Sequence, residues 1–114
     1  MKSKTETNKR SPSLSAKEAL ILELLLQDPC AGMYGLELVK QSGDRLKRGT
    51  VYVSLARMQD KGFIESRLEE RPPGAVGLPR PLYYPTGYGQ KVFQAWEMAQ
   101  LAQRLHLEGT LGVT

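Results

Sequence analysis

The spacing of apolar residues predicts four helices, with two short extended runs between the third helix and the fourth. The first helix should begin at the capping box Ser15-Ala16-Lys17-Glu18 and end near Asp28-Pro29. Its predicted buried positions are Leu20, Ile21, Leu24 and Leu25. The second helix should span about residues 32–42 and stop at Gly43. Its predicted buried positions are Met33, Leu36 and Val39.

The segment RGTVYVSLARMQDKGFIES, residues 48–66, predicts a third amphipathic helix with a basic N-terminal end. We expect Thr50 to cap this helix, because a threonine hydroxyl can accept a hydrogen bond from an N–H group of the first turn. Gly62 should end it in the left-handed conformation. Its apolar positions follow the spacing i, i+4 and i+7: Val51, Leu55 and Met58. Such a helix is typical of a DNA-reading element.

Residues 63–70 and 82–84 predict the two strands of a hairpin, since the prolines and glycines of residues 71–81 cannot continue a strand. Thr86 is the expected N-cap of a fourth helix that runs to about residue 107 and ends at Gly109. Three helices, a hairpin and one more helix indicate a winged helix-turn-helix. The predicted fold is therefore mainly α, with a small β-hairpin wing and a C-terminal dimerisation helix.

The composition is that of one small globular domain with a basic balance. The chain has 114 residues, of which 40% are hydrophobic and 25% are charged, and its net charge of +4 favours polyanionic partners. Cys30 is the only cysteine, which excludes an intrachain disulfide and a cysteine zinc site. We find neither a secretory h-region nor an apolar run of the ~18 residues that a membrane span needs. We therefore expect a cytoplasmic protein without membrane contact.

Four parts are expected along the chain. Residues 1–13 contain four cations and one acid and predict a disordered basic arm, and residues 14–86 should form the winged-helix DNA-binding domain. Residues 87–108 should form the dimerisation helix, because one small domain cannot bury every side of it. Residues 109–114 should be a tail.

Three groups of motifs occur in a fixed order. The tyrosine–glycine motif MYGLEL opens the second helix at residues 33–38, and GTVY at residues 49–52 is followed by GFIES at residues 62–66. Arg80, Tyr83, Thr86 and Gly89 then mark the second strand and the start of the last helix. Together these motifs resemble those of PadR-type transcriptional regulators over about residues 14–108. The chain departs from that pattern at Val53, where the family often has proline, at Pro85, and in its long wing loop.

The resemblance implies a sequence-specific, homodimeric repressor of the short PadR type, bound to double-stranded DNA at a pseudo-palindromic operator. In such a dimer, Arg48 and Thr50 should reach base edges or phosphates, and Tyr52 should contact the backbone. Arg71 and Arg80 should reach phosphate or the minor groove. The full set of candidate DNA contacts is Tyr34, Arg45, Lys47, Arg48, Thr50, Tyr52, Arg57, Arg71 and Arg80.

Other roles stay open for some of these side chains. Thr50 could act only as a cap, Tyr34 could pack in the core, and Tyr52 could be a half-buried packing residue. Arg57 could contact solvent or pair with Asp60 instead of a phosphate.

Val92, Trp96 and Ala99 are the candidate residues for a dimer interface or a ligand site. A two-fold axis near Trp96 would bring two indoles together, either as a plain interface anchor or around a planar aromatic effector. His106 has no neighbouring metal-ligand pattern, and no nucleophile–base pair stands out, so we predict no metal, no cofactor and no enzyme activity. The alternative function is a winged-helix protein-interaction adaptor without a DNA role, in which the cations of residues 45–48 serve an acidic partner.

Overall fold

A computed structural model describes the backbone of residues 13–113 and the side chains of residues 13–106. The elements are α1 (Ala16–Leu26), α2 (Gly35–Gln41), α3 (Arg48–Asp60), β1 (Ile64–Leu68), β2 (Pro81–Pro85) and α4 (Gly87–Val113). The strands pair antiparallel, with Ser66 opposite Tyr83. The mainly α fold with a hairpin wing is thus confirmed, while the arm predicted over residues 1–13 lies outside the described residues except for its last position.

Helix α1 begins as its sequence predicts. The backbone N–H of Glu18 donates to Ser15 Oγ at 3.1 Å, and the N–H of Ser15 donates to Glu18 Oε1 at 3.0 Å. Lys61 Nζ lies 3.0 Å from Glu18 Oε2, which ties the end of α3 to the start of α1. The predicted positions Leu20, Ile21, Leu24 and Leu25 are all buried.

Helix α2 is shorter than the sequence predicts, and its predicted buried face is partly wrong. Gly32 has φ +73°, and the N–H of Met33 donates to the Tyr83 carbonyl at 3.0 Å, so the chain is still extended there. With Met33 outside the helix, the buried face follows Gly35, Leu38 and Ser42 at i, i+3 and i+7. Leu36 lies off this face and is 43% exposed.

Helix α3 begins two residues before the predicted cap. Its N-cap is Lys47, so the predicted capping role of Thr50 is wrong: Thr50 lies in the first turn, and its hydroxyl donates to the Lys47 carbonyl at 3.4 Å. The apolar stripe of Val51, Leu55 and Met58 is buried as expected.

The end of α3 is a Schellman motif. The N–H of Gly62 donates to the Gln59 carbonyl at 3.0 Å, and that of Phe63 donates to the Met58 carbonyl at 2.9 Å. Gly62 has φ +82°, as predicted. These bonds turn the chain directly into β1, so the direction in which the wing leaves α3 is fixed locally.

The two wing strands differ slightly from the predicted ranges. β1 covers Ile64–Leu68 rather than residues 63–70, and β2 covers Pro81–Pro85 rather than residues 82–84. Each strand has five residues, and the loop between them spans residues 69–80. The wing is therefore a short hairpin with a long loop.

The start of helix α4 is hydrogen-bonded to the end of the α3–β1 turn. The N–H of Gly89 donates to Thr86 Oγ1 at 2.9 Å, which confirms Thr86 as the N-cap, and the Thr86 N–H donates to the Phe63 carbonyl at 3.0 Å. A Cβ at Gly89 would overlap the Phe63 carbonyl oxygen, so only glycine fits there.

The far end of α4 corrects the sequence analysis. The helix continues to Val113, so the end predicted at Gly109 is wrong, and the predicted tail of residues 109–114 is helical through Val113. A glycine costs only about 1 kcal/mol in a helix interior, which is too little to force a stop.

Candidate nucleic-acid interface

The first turn of α3 is open, positively charged and exposed. Lys47, the N-cap, makes no side-chain capping bond, and no acidic residue lies in the first turn. Lys47, Arg48 and Thr50 are all exposed. In contrast, the N-terminus of α1 is closed by a capping box with Glu18, and at α2 the Glu37 carboxylate accepts from the N–H of the N-cap residue Tyr34 at 2.8 Å. The partial positive charge of a helix N-terminus thus adds to two cations only at α3.

The exposed side of α3 combines polar, apolar and aromatic groups. Tyr52 is 44% exposed and Val53 is 52% exposed. The Tyr52 ring packs on α2, because a Cβ added at Gly35 would lie 2.6 Å from it. One side of the Tyr52 ring therefore packs on α2, and the rest of the side chain is exposed to solvent. Arg57 is exposed, and in the part of the chain that the structure describes it forms no ion pair with Asp60.

The turn between α2 and α3 is held by Ser42. Its buried hydroxyl donates to the Val39 carbonyl at 2.7 Å and accepts from the N–H of Leu46 at 2.9 Å. Arg45 Nε donates to the Ser42 carbonyl at 3.1 Å. Arg45 thus helps to hold the turn, whereas Lys47, two residues later, extends from it without such a bond.

Where the wing loop joins the two strands, the structure brings together three of the candidate DNA contacts around a carboxylate. Glu69 Oε1 accepts a 2.6 Å hydrogen bond from the Tyr34 hydroxyl, and Glu69 Oε2 accepts a 3.0 Å bond from the Arg80 N–H. Arg71 Nε and Arg80 Nη2 lie 3.7 and 3.6 Å from the same carboxylate. We call these four residues, Tyr34, Glu69, Arg71 and Arg80, the Glu69 cluster.

The arginines of the Glu69 cluster make further internal contacts. Arg71 donates to the carbonyls of Val76 and Gly77, the latter at 2.9 Å, and so bridges the wing loop. The Arg80 guanidinium lies over the Tyr34 ring, 3.9 Å from its centroid. The sequence analysis missed Glu69, because it pairs with a tyrosine 35 positions earlier and no local pattern links the two.

The protonation states of this cluster follow from its hydrogen bonds. The bond from the Tyr34 hydroxyl, and then that from the Arg80 N–H, holds the pKa of Glu69 below its usual value. The same bond to Glu69, followed by desolvation, raises the pKa of Tyr34. Both shifts favour a neutral tyrosine that donates to an ionised carboxylate at neutral pH.

The candidate interface residues of α4 lie in different surroundings. Val92 is only 8% exposed and packs in the domain core, so it presents little surface to a partner. Trp96 is half-buried and stacks on Phe93 with ring centroids 6.1 Å apart, whereas Ala99 is exposed. Beyond it, exposed apolar residues continue along the helix: Met98, Leu101 and Leu105. A shallow groove is lined by Trp96, Met98, Leu101 and Arg104 among others.

The described residues contain no group of three or more histidine, cysteine, aspartate or glutamate side chains placed to hold a metal ion. No helix among them combines the length and the apolar character needed to cross a bilayer.

Comparison with known proteins agrees with the fold. The family model described as "Transcriptional regulator PadR-like family" matches residues 21–95, which is more than half of the chain. No curated protein matches the chain.

Solved structures extend this likeness. A PadR family transcription regulator from hypervirulent Clostridium difficile R20291 is similar, with 26% identity, a TM-score of 0.69 and coverage of 85% of this chain and 99% of that one. A PadR family regulator from Eggerthella lenta DSM 2243 shares 22% identity, with a TM-score of 0.66 and 84% coverage of both chains. A MepR mutant from multidrug-resistant S. aureus shares 15% identity, with a TM-score of 0.69 over 96% of this chain and 74% of that one.

Proposed function

This chain belongs to the PadR-like family of transcriptional regulators, and from that premise we propose that it is a homodimeric repressor of a pseudo-palindromic operator. The family consists of DNA-binding regulators and not of enzymes. The observation that carries the proposal is the first turn of α3, which is exposed, uncapped and free of acids. Repression would place the protein in the cytoplasm with its DNA.

We assign the candidate residues of α3 to two kinds of DNA contact, with base edges and with phosphates. Arg48 and Thr50 lie on the first turn of α3, where a recognition helix meets base edges, and a guanidinium there can bind a guanine in bidentate fashion. Lys47 and Arg57 are exposed cations on either side of that turn and suit phosphates, with Arg45 and the free edge of Tyr52 nearby. The three residues that join the Glu69 cluster would contribute mainly through the wing.

The homodimer would form along α4. Met98, Leu101 and Leu105 follow the spacing i, i+3 and i+7, so they share one helix face, and all three are exposed in the single chain. A second copy could cover this face, together with Ala99 and the exposed part of Trp96. We leave Val92 out of the proposed interface. A two-fold dimer would place two α3 helices about one DNA turn apart, ~34 Å.

A planar aromatic effector is a second element of the proposal. The half-buried Trp96 borders a groove whose lining also includes Met98, Leu101 and Arg104. Pairing of two such grooves at a two-fold axis would give flat rings an apolar slot. Because Trp96 is the only tryptophan, quenching of indole fluorescence by planar dyes reports on this site alone. An intact dimer whose fluorescence no dye quenches would contradict the effector site.

Selection of duplexes from a random pool by the full-length protein tests the function. We expect an inverted repeat with half-sites about 10 base pairs apart, bound by two copies of the chain. Analytical ultracentrifugation gives the stoichiometry, and a reporter placed behind the selected operator gives the sign of regulation. Absence of DNA affinity even at ~50 mM salt would contradict the proposal. It would instead favour the adaptor function, in which the α3 cations contact an acidic protein.

A further inference from the structure

We propose that Glu69 is a positioning residue for DNA binding, because its carboxylate fixes the wing against α2 and thereby sets the wing in register with α3. The inference rests on the proposed DNA-binding function and assigns Glu69 no contact with DNA. Glu69 would act on DNA binding only indirectly, by holding Tyr34, Arg71 and Arg80 in place.

Both carboxylate oxygens of Glu69 are occupied, and their partners lie on different parts of the fold. Oε1 accepts from the hydroxyl of Tyr34, which is the N-cap residue of α2. Oε2 accepts from the N–H of Arg80, which lies just before β2. The Glu69 N–H in turn donates to the Arg80 carbonyl at 2.9 Å. One side chain, only 12% exposed, thus joins both ends of the wing loop to the helix-turn-helix.

The wing needs such a connection. A two-stranded hairpin is at best marginally stable by itself, so its orientation depends on contacts with the rest of the domain. Arg71 lies 3.7 Å from Glu69 and also donates to the carbonyls of Val76 and Gly77. The loop of residues 69–80 is therefore tied back to its base, and the base is tied to α2. Loss of the carboxylate would remove its part of both ties and leave the Arg80–Tyr34 ring contact and the Met33–Tyr83 backbone pairing between the wing and the start of α2.

Whether removal of the Glu69 carboxylate weakens or tightens DNA binding distinguishes a positioning role from a purely electrostatic one. A carboxylate on the DNA-binding side of a regulator repels phosphates, so its removal should tighten binding if charge alone mattered. Glu70, the next residue, is exposed, and within the described chain its side chain forms neither an ion pair nor a hydrogen bond. Glu69→Gln and Glu70→Gln remove the same charge at adjacent positions. Only Glu69→Gln removes the ion pairs with Arg71 and Arg80, and it leaves one acceptor oxygen where the wild type uses two.

The experiment measures both variants as full-length protein on a duplex that the wild-type protein has selected. By fluorescence anisotropy, Glu69→Gln should raise the Kd about ten-fold, whereas Glu70→Gln should change it less than about two-fold, towards tighter binding. Hydroxyl-radical footprints should show that Glu69→Gln loses protection at the wing positions and keeps protection at the α3 positions. Equal affinities and footprints for the two variants would overturn the inference.

Tyr34→Phe provides a second test that does not depend on the stability of Glu69→Gln. It removes one hydroxyl, and it should raise the Kd about three-fold with the same loss of wing protection. Because both changes break one link, the double variant should bind no more weakly than Glu69→Gln alone. A Tyr34→Phe protein that is folded by circular dichroism and keeps the wild-type Kd and footprint would overturn the inference.

Failure of the proposed function would look different. The wild-type protein would then select no duplex at all, before any variant is compared. If the wild type selects DNA and the Glu69 and Glu70 variants behave alike, the function stands and only the positioning role falls.

Discussion

The cations of α3 and those of the wing loop carry the same charge in opposite surroundings. Lys47, Arg48 and Arg57 are exposed, and among the side chains described, those of residues 13–106, they form no ion pair or hydrogen bond. Arg71 and Arg80 instead lie within 4 Å of Glu69. A guanidinium that already has a carboxylate partner gains less from a phosphate, since one interaction replaces another. In the proposed complex, the α3 cations would therefore contact the DNA phosphates and bases, whereas the wing cations would hold the wing in shape.

The helix N-termini repeat this contrast. α1 begins with a capping box, and the N-cap N–H of α2 donates to Glu37, so Glu18 and Glu37 each place a negative charge at a positive helix end. α3 begins with Lys47 and Arg48 and has no such acid. α3 therefore lacks the capping contacts that stabilise the other two N-termini, and its own N-terminus stays available to an anion. The Ser42 turn holds the start of α3 instead.

The largest expected effect comes from removal of the unpaired cations. The double variant Lys47→Ala/Arg48→Ala should raise the operator Kd about 100-fold and reduce the preference for operator over scrambled DNA, at roughly 1–3 kcal/mol per contact. Anisotropy titrations with both duplexes measure this. Lys40→Ala/Lys91→Ala is the matched control, because it also removes two exposed cations, one on α2 and one on α4. Equal losses in the double variant and the control would show that only net charge matters.

A smaller effect should appear in thermal stability, where we expect a wing substitution to be destabilising and an α3 substitution to be nearly neutral. Arg80→Ala removes the contact with the Tyr34 ring and an ion pair with Glu69, and it should lower the Tm by about 3 °C. Arg48→Ala should change the free energy of unfolding by less than about 0.5 kcal/mol, because the side chain has no partner to lose. Thermal unfolding followed by circular dichroism compares them. A lower Tm in Arg48→Ala than in Arg80→Ala would reverse our assignment of the two regions.

The smallest effect is the pH dependence of the Glu69 cluster. The pKa of Glu69 is lowered in the folded state, so its stabilising contribution is complete above the ordinary glutamate pKa of about 4.3 and is lost as the pH falls through the lower folded value. Because the pKa of Tyr34 is raised, its contribution is complete below the ordinary tyrosine value of about 10 and is lost as the pH rises through the higher folded value.

The stability difference between wild type and Glu69→Gln should therefore be constant from about pH 5 to 9 and should shrink below about pH 4. Denaturant unfolding at several pH values, with Glu70→Gln as the reference, measures this difference. A difference that grows as the pH falls through 4 would mean that the carboxylate is not stabilised in its ionised form.

The sequence predicts those parts of the fold that local chemistry decides. The capping box at Ser15, the stripe of Val51, Leu55 and Met58, the stop at Gly62 and the cap at Thr86 each depend on residues within one or two turns. The predicted cap at Thr50 failed because the Ser42 turn starts α3 at Arg48 without a side-chain cap.

The candidate site was predictable only in part for the same reason. Arg71 and Arg80 look like DNA contacts in the sequence, where their partner cannot be seen. Glu69 acquires its role only when the fold brings Tyr34, 35 residues away, to its carboxylate. Leu36, predicted to be buried, is exposed, and Leu38 is buried instead, because Met33 pairs with Tyr83 rather than starting the helix. Long-range pairing, which leaves no periodic signal, is what the sequence could not supply.

The salt dependence of operator binding tests the contrast between the two regions most directly. Each cation that neutralises a phosphate contributes about 0.9 to the slope of log K against log salt. Arg57→Ala should therefore reduce the magnitude of the slope by about 1, and Arg80→Ala should leave it nearly unchanged while lowering the affinity at every salt concentration. Reduction of the slope by Arg80→Ala and not by Arg57→Ala would contradict the account.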